Sequence, residues 1–204
     1  MAYSDFKTIT QVRTAFKLTV DETQHLFTNQ QPVKASDYLK TILPEYLPLA
    51  NAINTEKARS ELLIAPILLE VRRMFPDEIG FFSGTEFEVE PELGLNGFCD
   101  YILTASPELY ELRSPVVTLV EAKNENIKGG LAQCIAEMVA AQRFNQRESS
   151  ELSTVYGAVT TGALWKFLKL TGQTVFIDLD EYYVANYEKI LAIFCEPFQN
   201  LKKP

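Results

Sequence analysis

Apolar residues recur every third or fourth position between Thr55 and Met74: Leu62, Ile64, Ala65, Ile67, Leu68, Val71 and Met74 form one stripe. That spacing predicts a helix with one buried face. Pro66 lies inside it and lacks an N–H, and its ring crowds the carbonyl four residues back, so a kink or junction is expected there. Pro76 ends the element. From Phe81 the period changes. F-F-S-G-T-E-F-E-V-E alternates polar and apolar from Thr85 onward, the pattern of a strand with one wet face. Gly97–Thr104 reads as a second strand. Val116–Lys123 is apolar until its last residues, as a strand covered on both faces would be. A polar connection, Ser106–Pro115, separates these two strands.

Asn124–Gly130 reads as a turn around Gly129-Gly130, followed by a helix from Leu131 to Arg147 with Leu131, Cys134, Ile135, Met138 and Val139 inward. Three further strands are expected at Thr154–Thr161, Leu164–Leu170 and Thr174–Leu179, the last two joined through T-G-Q as a hairpin. A closing helix is expected over Tyr183–Phe198. Ahead of all this, S-D-Y-L-K-T-I-L within Ala35–Pro44 predicts a short helix stopped by Pro44. Residues 1–34 are mixed and predict a helix or strand against the core. Strands on both sides of the Leu131–Arg147 helix require a crossover connection, so the expected class is α/β, with a central sheet flanked by helices. We expect one domain over 1–204: a core at about 55–180, an N-terminal extension 1–54 and a helical segment 181–204.

Composition narrows the function classes. Of the 204 residues, 47% are apolar and 23% charged, which suits an ordinary globular core. No apolar run approaches the roughly 18–20 residues of a membrane span. The first ten residues lack the basic and apolar regions of a secretory signal, so a cytoplasmic protein is expected. Cys99, Cys134 and Cys195 are widely spaced and odd in number, which predicts buried free thiols rather than disulfides or a C-x-x-C metal site. With one histidine, His25, a zinc cluster is excluded and the ring is expected at the surface. Nucleotide-binding glycine loops are absent. The net charge of −8 counts against broad nucleic-acid binding without metal ions.

Three charged residues break the pattern. Asp100 sits in the apolar run G-F-C-D-Y-I-L-T, and Glu121 and Lys123 close V-V-T-L-V-E-A-K. Residues two apart on a strand share a face, so Glu121 and Lys123 point the same way. If the two strands are neighbours, Asp100 can join them. Two carboxylates and an amine at one sheet end suit metal-assisted phosphodiester hydrolysis. Asp100 and Glu121 would hold Mg²⁺, with Mn²⁺ as a substitute, and Lys123 would position or activate the attacking water.

G-x-x-D at Gly97–Asp100, followed by E-x-K at Glu121–Lys123 on an apolar strand, resembles the PD-(D/E)xK nuclease superfamily. The resemblance covers about residues 55–180 and implies a restriction-endonuclease-like core of helix, three strands, helix and strand. It also implies two more site residues: Gln133 on the following helix, and Glu61 on the preceding helix as an added metal ligand. DNA is the implied partner. Family members often dimerise, and the aromatic-rich segments 81–87 and 182–187 offer surfaces for a homodimer. V-Y-G-A-V-T-T-G-A-L-W-K-F and its T-G-Q hairpin are similar to the ends of cyanobacterial members. Two positions depart from the family pattern: Cys99 stands where a proline often does, and Glu137 stands where a tyrosine usually follows the glutamine.

Simpler readings compete at each position. Asp100 can cap a turn, and Glu121–Lys123 can be an ordinary surface ion pair. Glu70 competes with Glu61, although it lies off the apolar rows. Lys128, Arg143 and Arg147 read as solvated helix positions, and Trp165 as core or interface. The competing function is a nuclease-fold binding or assembly module without catalysis.

Overall fold

A computed structural model describes residues 1–201 of the chain. It is α/β, with a mixed eight-stranded sheet between two helical layers. The path runs α1 (Ile9–Phe16), β1 (Thr19–Asp21), α2 (Asp37–Ile53), α3 (Glu56–Arg59), a π turn (Ser60–Ile64) and α4 (Ala65–Met74). Then come β2 (Gly80–Glu86), β3 (Phe98–Thr104), β4 (Val116–Ala122), α5 (Ile127–Arg147) and β5 (Thr154–Thr160). The path closes with β6 (Leu164–Thr171), β7 (Thr174–Ile177), β8 (Tyr182–Tyr183) and α6 (Tyr187–Leu201). The last three residues of the expected segment 181–204 lie outside the described residues.

Strand order is β1-β7-β6-β5-β4-β3-β2, with β8 on β6. β2, β3 and β4 form an antiparallel meander, and β4 and β5 run parallel. A parallel pair needs a crossover, and α5 supplies it. Every residue of β4 is buried, as its unbroken apolar run predicts. One core, with Leu43, Ile67, Val120 and Phe194, lies under α2, α4 and α6; the other, with Phe16, Leu119, Ile135 and Met138, lies under α1 and α5. Residues 1–53 are woven into both: Leu39 and Leu43 enter the first core, Tyr3 and Val12 the second, and β1 pairs with β7.

Several sequence expectations shift. Pro44 does not stop α2, which continues to Ile53 with Pro44 and Pro48 inside it. Both prolines face solvent, where water can take the carbonyls they leave unpaired, and buried Leu39, Leu43 and Ala50 hold the inner face. The helix expected over Thr55–Met74 forms, and directly before Pro66 the chain widens into the π turn. That turn gives the ring room that an α-helical ladder denies it. Tyr101 on β3 anchors the turn, its hydroxyl donating to the Ser60 carbonyl at 2.9 Å. The strand from Phe81 ends at Glu86. Alternating burial persists to Val89 because Phe87 N–H donates to Gly97 O (2.8 Å) and Val89 N–H to Leu95 O (3.0 Å), outside a regular ladder. The T-G-Q hairpin is present: Thr171 pairs with Thr174, and Gly172 adopts φ +58°, which glycine tolerates best.

Cys99, Cys134 and Cys195 are free and buried. Trp165 is fully buried and its indole N–H donates to Gly162 O at 3.1 Å, so it belongs to the core. Arg147 is exposed and Arg143 half-buried, and both also pair with Glu90, with Arg147 donating to Val89 O at 2.6 Å, which clamps the 87–95 segment to α5. Among the described residues no helix is long and apolar enough to cross a membrane.

One side chain ties α5 to β4. Buried Asn145 accepts from Val116 N–H and donates to Val116 O, both at 2.7 Å. Asn145→Ala strands two buried backbone groups, so we expect a loss of about 2–4 kcal/mol in urea unfolding. A loss below about 0.5 kcal/mol would mean that water replaces the amide.

Candidate active site

The site forms where β3 and β4 part. Their pairing ends at Tyr101–Val120, although both strands continue. Beyond that point the Ala122 N–H donates to Asp100 Oδ2 at 2.7 Å. Continuing the register sets Asp100 opposite Glu121. Ile102 and Leu119 belong to the core under α5, whereas Tyr101, Val120 and Ala122 belong to the other. Alternation therefore turns Asp100, Glu121 and Lys123 toward α5. The expected convergence of these three residues is present.

Lys123 follows β4 directly, and its N–H donates to Thr160 O at 2.8 Å, extending the pairing toward β5. Its ammonium is paired with Glu121 Oε1 and lies 3.5 Å from Gln133 Oε1. Gln133 in turn donates to Glu137 Oε1 at 3.1 Å. The ion pair is no ordinary surface pair, because the Glu121 side chain is 1% exposed and that of Lys123 24%. The helix begins at Ile127 rather than Leu131, capped by Asn126 accepting from Gly129 N–H at 2.9 Å. Gly129-Gly130 is therefore inside the first turns and not a loop. Gly130 is needed there: a Cβ would stand 2.7 Å from Val159 and 3.1 Å from the Lys123 stem.

Three carboxyls share this place with one ammonium. Burial, with Asp100 nearby, pushes Glu121 up to about 7 despite its pairing with Lys123. Burial raises Asp100 too, opposed by the Ala122 N–H and by Lys123. Glu137 is driven well above the carboxylate range by complete burial and by Glu121. Burial lowers the Lys123 pKa, but Glu121 and other acidic neighbours outweigh it, so the ammonium stays charged. Ionised carboxylates only accept hydrogen bonds. Glu121 Oε2 and Glu137 Oε2 are buried and without a donor as long as both groups are ionised; a proton on Glu137 lets it donate to Glu121. The cluster lacks positive charge, which a proton or a cation can supply.

Asp100 also lines a cleft of about 300 Å³ with Glu56, Glu61, Ser60 and Ser83. Glu61 thus opens onto the same cleft, but its carboxylate is largely exposed and paired with Lys57 at 3.2 Å, with no contact to Glu121 or Lys123. Its rival Glu70 is structural: buried, it accepts from Ser36 N–H (2.6 Å), Ser36 Oγ (2.9 Å) and Arg73 (3.1 Å) at the start of α2. A larger cleft of about 610 Å³ lies beside Tyr182 and Tyr187. Its lysine, Lys189, is occupied by the carbonyls of Phe27, Thr28 and Gln30, so that cleft gathers no free reactive set. His25 is exposed and pairs with Asp180 at 2.9 Å.

Among the described residues no three His, Cys, Asp or Glu side chains form a ready-made metal cage. The donor chemistry still suits a hard cation of the Mg²⁺ type, which takes one or two carboxylates and keeps water or phosphate elsewhere. Asp100 and Glu121 could hold such an ion, and the partnerless Glu121 Oε2 is the atom that would gain most. Sequence reasoning did not include Glu137 in the site. The available signal was a lone carboxylate in L-A-Q-C-I-A-E-M-V-A-A, four residues after Gln133 on an otherwise apolar helix. No family model matches the chain, and no curated protein matches it.

Glu137→Gln keeps an acceptor for Gln133 and offers Glu121 Oε2 a donor. In EDTA at pH 8 we expect a gain of about 1–2 kcal/mol in unfolding free energy, because a buried unpaired carboxyl is removed. A clear loss would mean that the carboxyl is better satisfied than its contacts indicate.

Proposed function

We propose that the protein is a metal-dependent nuclease that hydrolyses phosphodiester bonds of DNA. The observation that carries this reading is the meeting of Asp100, Glu121 and Lys123 at the parted ends of β3 and β4, beside an open cleft. Further support comes from the order of elements. A helix, an antiparallel three-strand meander, a crossover helix and a parallel strand match a restriction-endonuclease-like core.

In this reading Asp100 and Glu121 would hold Mg²⁺, which would supply positive charge for the phosphoryl group and lower the pKa of a bound water. Asp100 is held for that task by the Ala122 N–H, and Glu121 by Lys123. The Lys123 ammonium is anchored by Glu121 and Gln133 and has a third hydrogen left to donate. That hydrogen can orient the attacking water or support charge developing on phosphate. Glu56 and Glu61 give the cleft mouth a negative rim. This rim, with the net charge of −8, makes binding of a polyanion depend on the cation.

The test pairs cleavage with binding. We expect plasmid and single-stranded DNA to be cut in Mg²⁺ or Mn²⁺ and spared in EDTA. Asp100→Asn, Glu121→Gln and Lys123→Met should each cost about 100-fold or more in rate. Calorimetry should show Mn²⁺ binding that weakens in the first two variants. Undiminished cutting by these variants would remove the assignment. Absence of both Mn²⁺ binding and cutting would leave a nuclease-fold binding or assembly module instead.

A further inference from the structure

We propose that Glu137 is a positioning residue: it fixes the Gln133 amide so that its carbonyl oxygen faces Lys123 and holds that ammonium against Glu121. The proposed consequence for catalysis rests on the nuclease reading, while the positioning itself stands on geometry. Gln133 and Glu137 are four residues apart on α5, so their side chains are neighbours. The Gln133 amide has one donating end and one accepting end, and only one orientation satisfies both neighbours. With Nε2 donating to Glu137 Oε1 at 3.1 Å, its Oε1 is the end presented to Lys123 Nζ, 3.5 Å away. The reversed amide would set its NH₂ against the charged Lys123 ammonium, donor against donor.

Glu137 is poorly explained as packing. It is fully buried, its Oε2 has no partner, and Ala136, Ala140 and Ala141 surround it on the helix. A methionine or leucine would fill the same space without leaving a carboxylate beside Glu121. What Glu137 adds over those residues is an acceptor for Gln133, its Oε1. The hydrogen-bonded sequence Glu137, Gln133, Lys123, Glu121 then starts and ends on buried carboxyls that also touch each other. That arrangement limits the Lys123 ammonium to a narrow range of positions.

The test uses the full chain and four variants: Glu137→Leu, Glu137→Gln, Gln133→Met and the double variant Gln133→Met/Glu137→Leu. In ¹⁵N spectra the Gln133 side-chain amide and the Lys123 ammonium should both shift in Glu137→Leu and stay close to their positions in Glu137→Gln, which retains the acceptor. Unchanged Lys123 resonances in Glu137→Leu overturn the proposal whether or not the protein cuts DNA. In the cleavage assay Glu137→Leu should lower kcat by about 10- to 100-fold with little change in KM. The double variant should be no worse than Gln133→Met, because both remove one link. Additive losses would show that Glu137 acts by another route and would also overturn the proposal. If the wild-type protein binds Mn²⁺ but cuts nothing, the nuclease reading fails while the spectra still decide the role of Glu137.

Discussion

Complete burial of β4 is the constraint on which the rest depends. A strand with no solvent-facing side needs a covering layer on each face, and the chain provides α2, α4 and α6 on one and α5 with α1 on the other. The parallel partner β5 can be reached only by a crossover, and the crossover helix α5 is itself one of the covers. Asn145 pins the far end of that helix to the first residue of β4. Gly130 lets its near end close onto Val159 and Lys123. Between those two points the helix lies too close to the strand for water to solvate what the strand carries.

That closeness turns an ordinary acidic residue into an unusual one. Glu121 lies near the end of β4 under α5, and Glu137 descends from α5 toward it, so two carboxyls meet away from solvent with Lys123 paired to Glu121. Burial is the first cause of both raised pKa values; Asp100 adds to it at Glu121, and Glu121 adds to it at Glu137. Such a cluster reduces folding stability unless it is used, since apolar side chains of equal size would pack there without loss. The parting of β3 from β4 admits the third carboxyl, Asp100, which also lines the open cleft. Under the proposed function, Asp100 at the cleft and Glu121 beneath α5 would hold the cation between them.

Much of the fold was legible along the chain. β3, β4, the T-G-Q hairpin and the body of α5 follow directly from hydrophobic period and turn chemistry. The departures have specific causes. Pro44 does not end the helix as expected because its exposure, which lets water serve the abandoned carbonyl, is a property of how α2 lies on the core. Gly129-Gly130 reads locally as a loop, yet both lie in α5, and packing of Gly130 against Val159 and Lys123 demands a residue without a Cβ there. Arg143 and Arg147 look merely solvated on a helical wheel, yet both are held by Glu90, more than 50 residues away in the chain, with Arg147 still exposed.

The sequence by itself determined that Glu121 and Lys123 share a face and that Asp100 sits at the same end of a neighbouring run, because strand alternation is a local rule. It also marked Gln133 as one helix turn from Glu137. Only the tertiary structure decided that β3 and β4 are adjacent and part at these residues, and that α5 brings Gln133 and Glu137 down onto them. It likewise decided that Glu61 lies at the mouth of the cleft, paired with Lys57, rather than among the buried carboxyls. The reason is physical. Side-chain direction is set by backbone geometry within a few residues, whereas burial, hydrogen-bond partners and pKa depend on which distant segment arrives opposite.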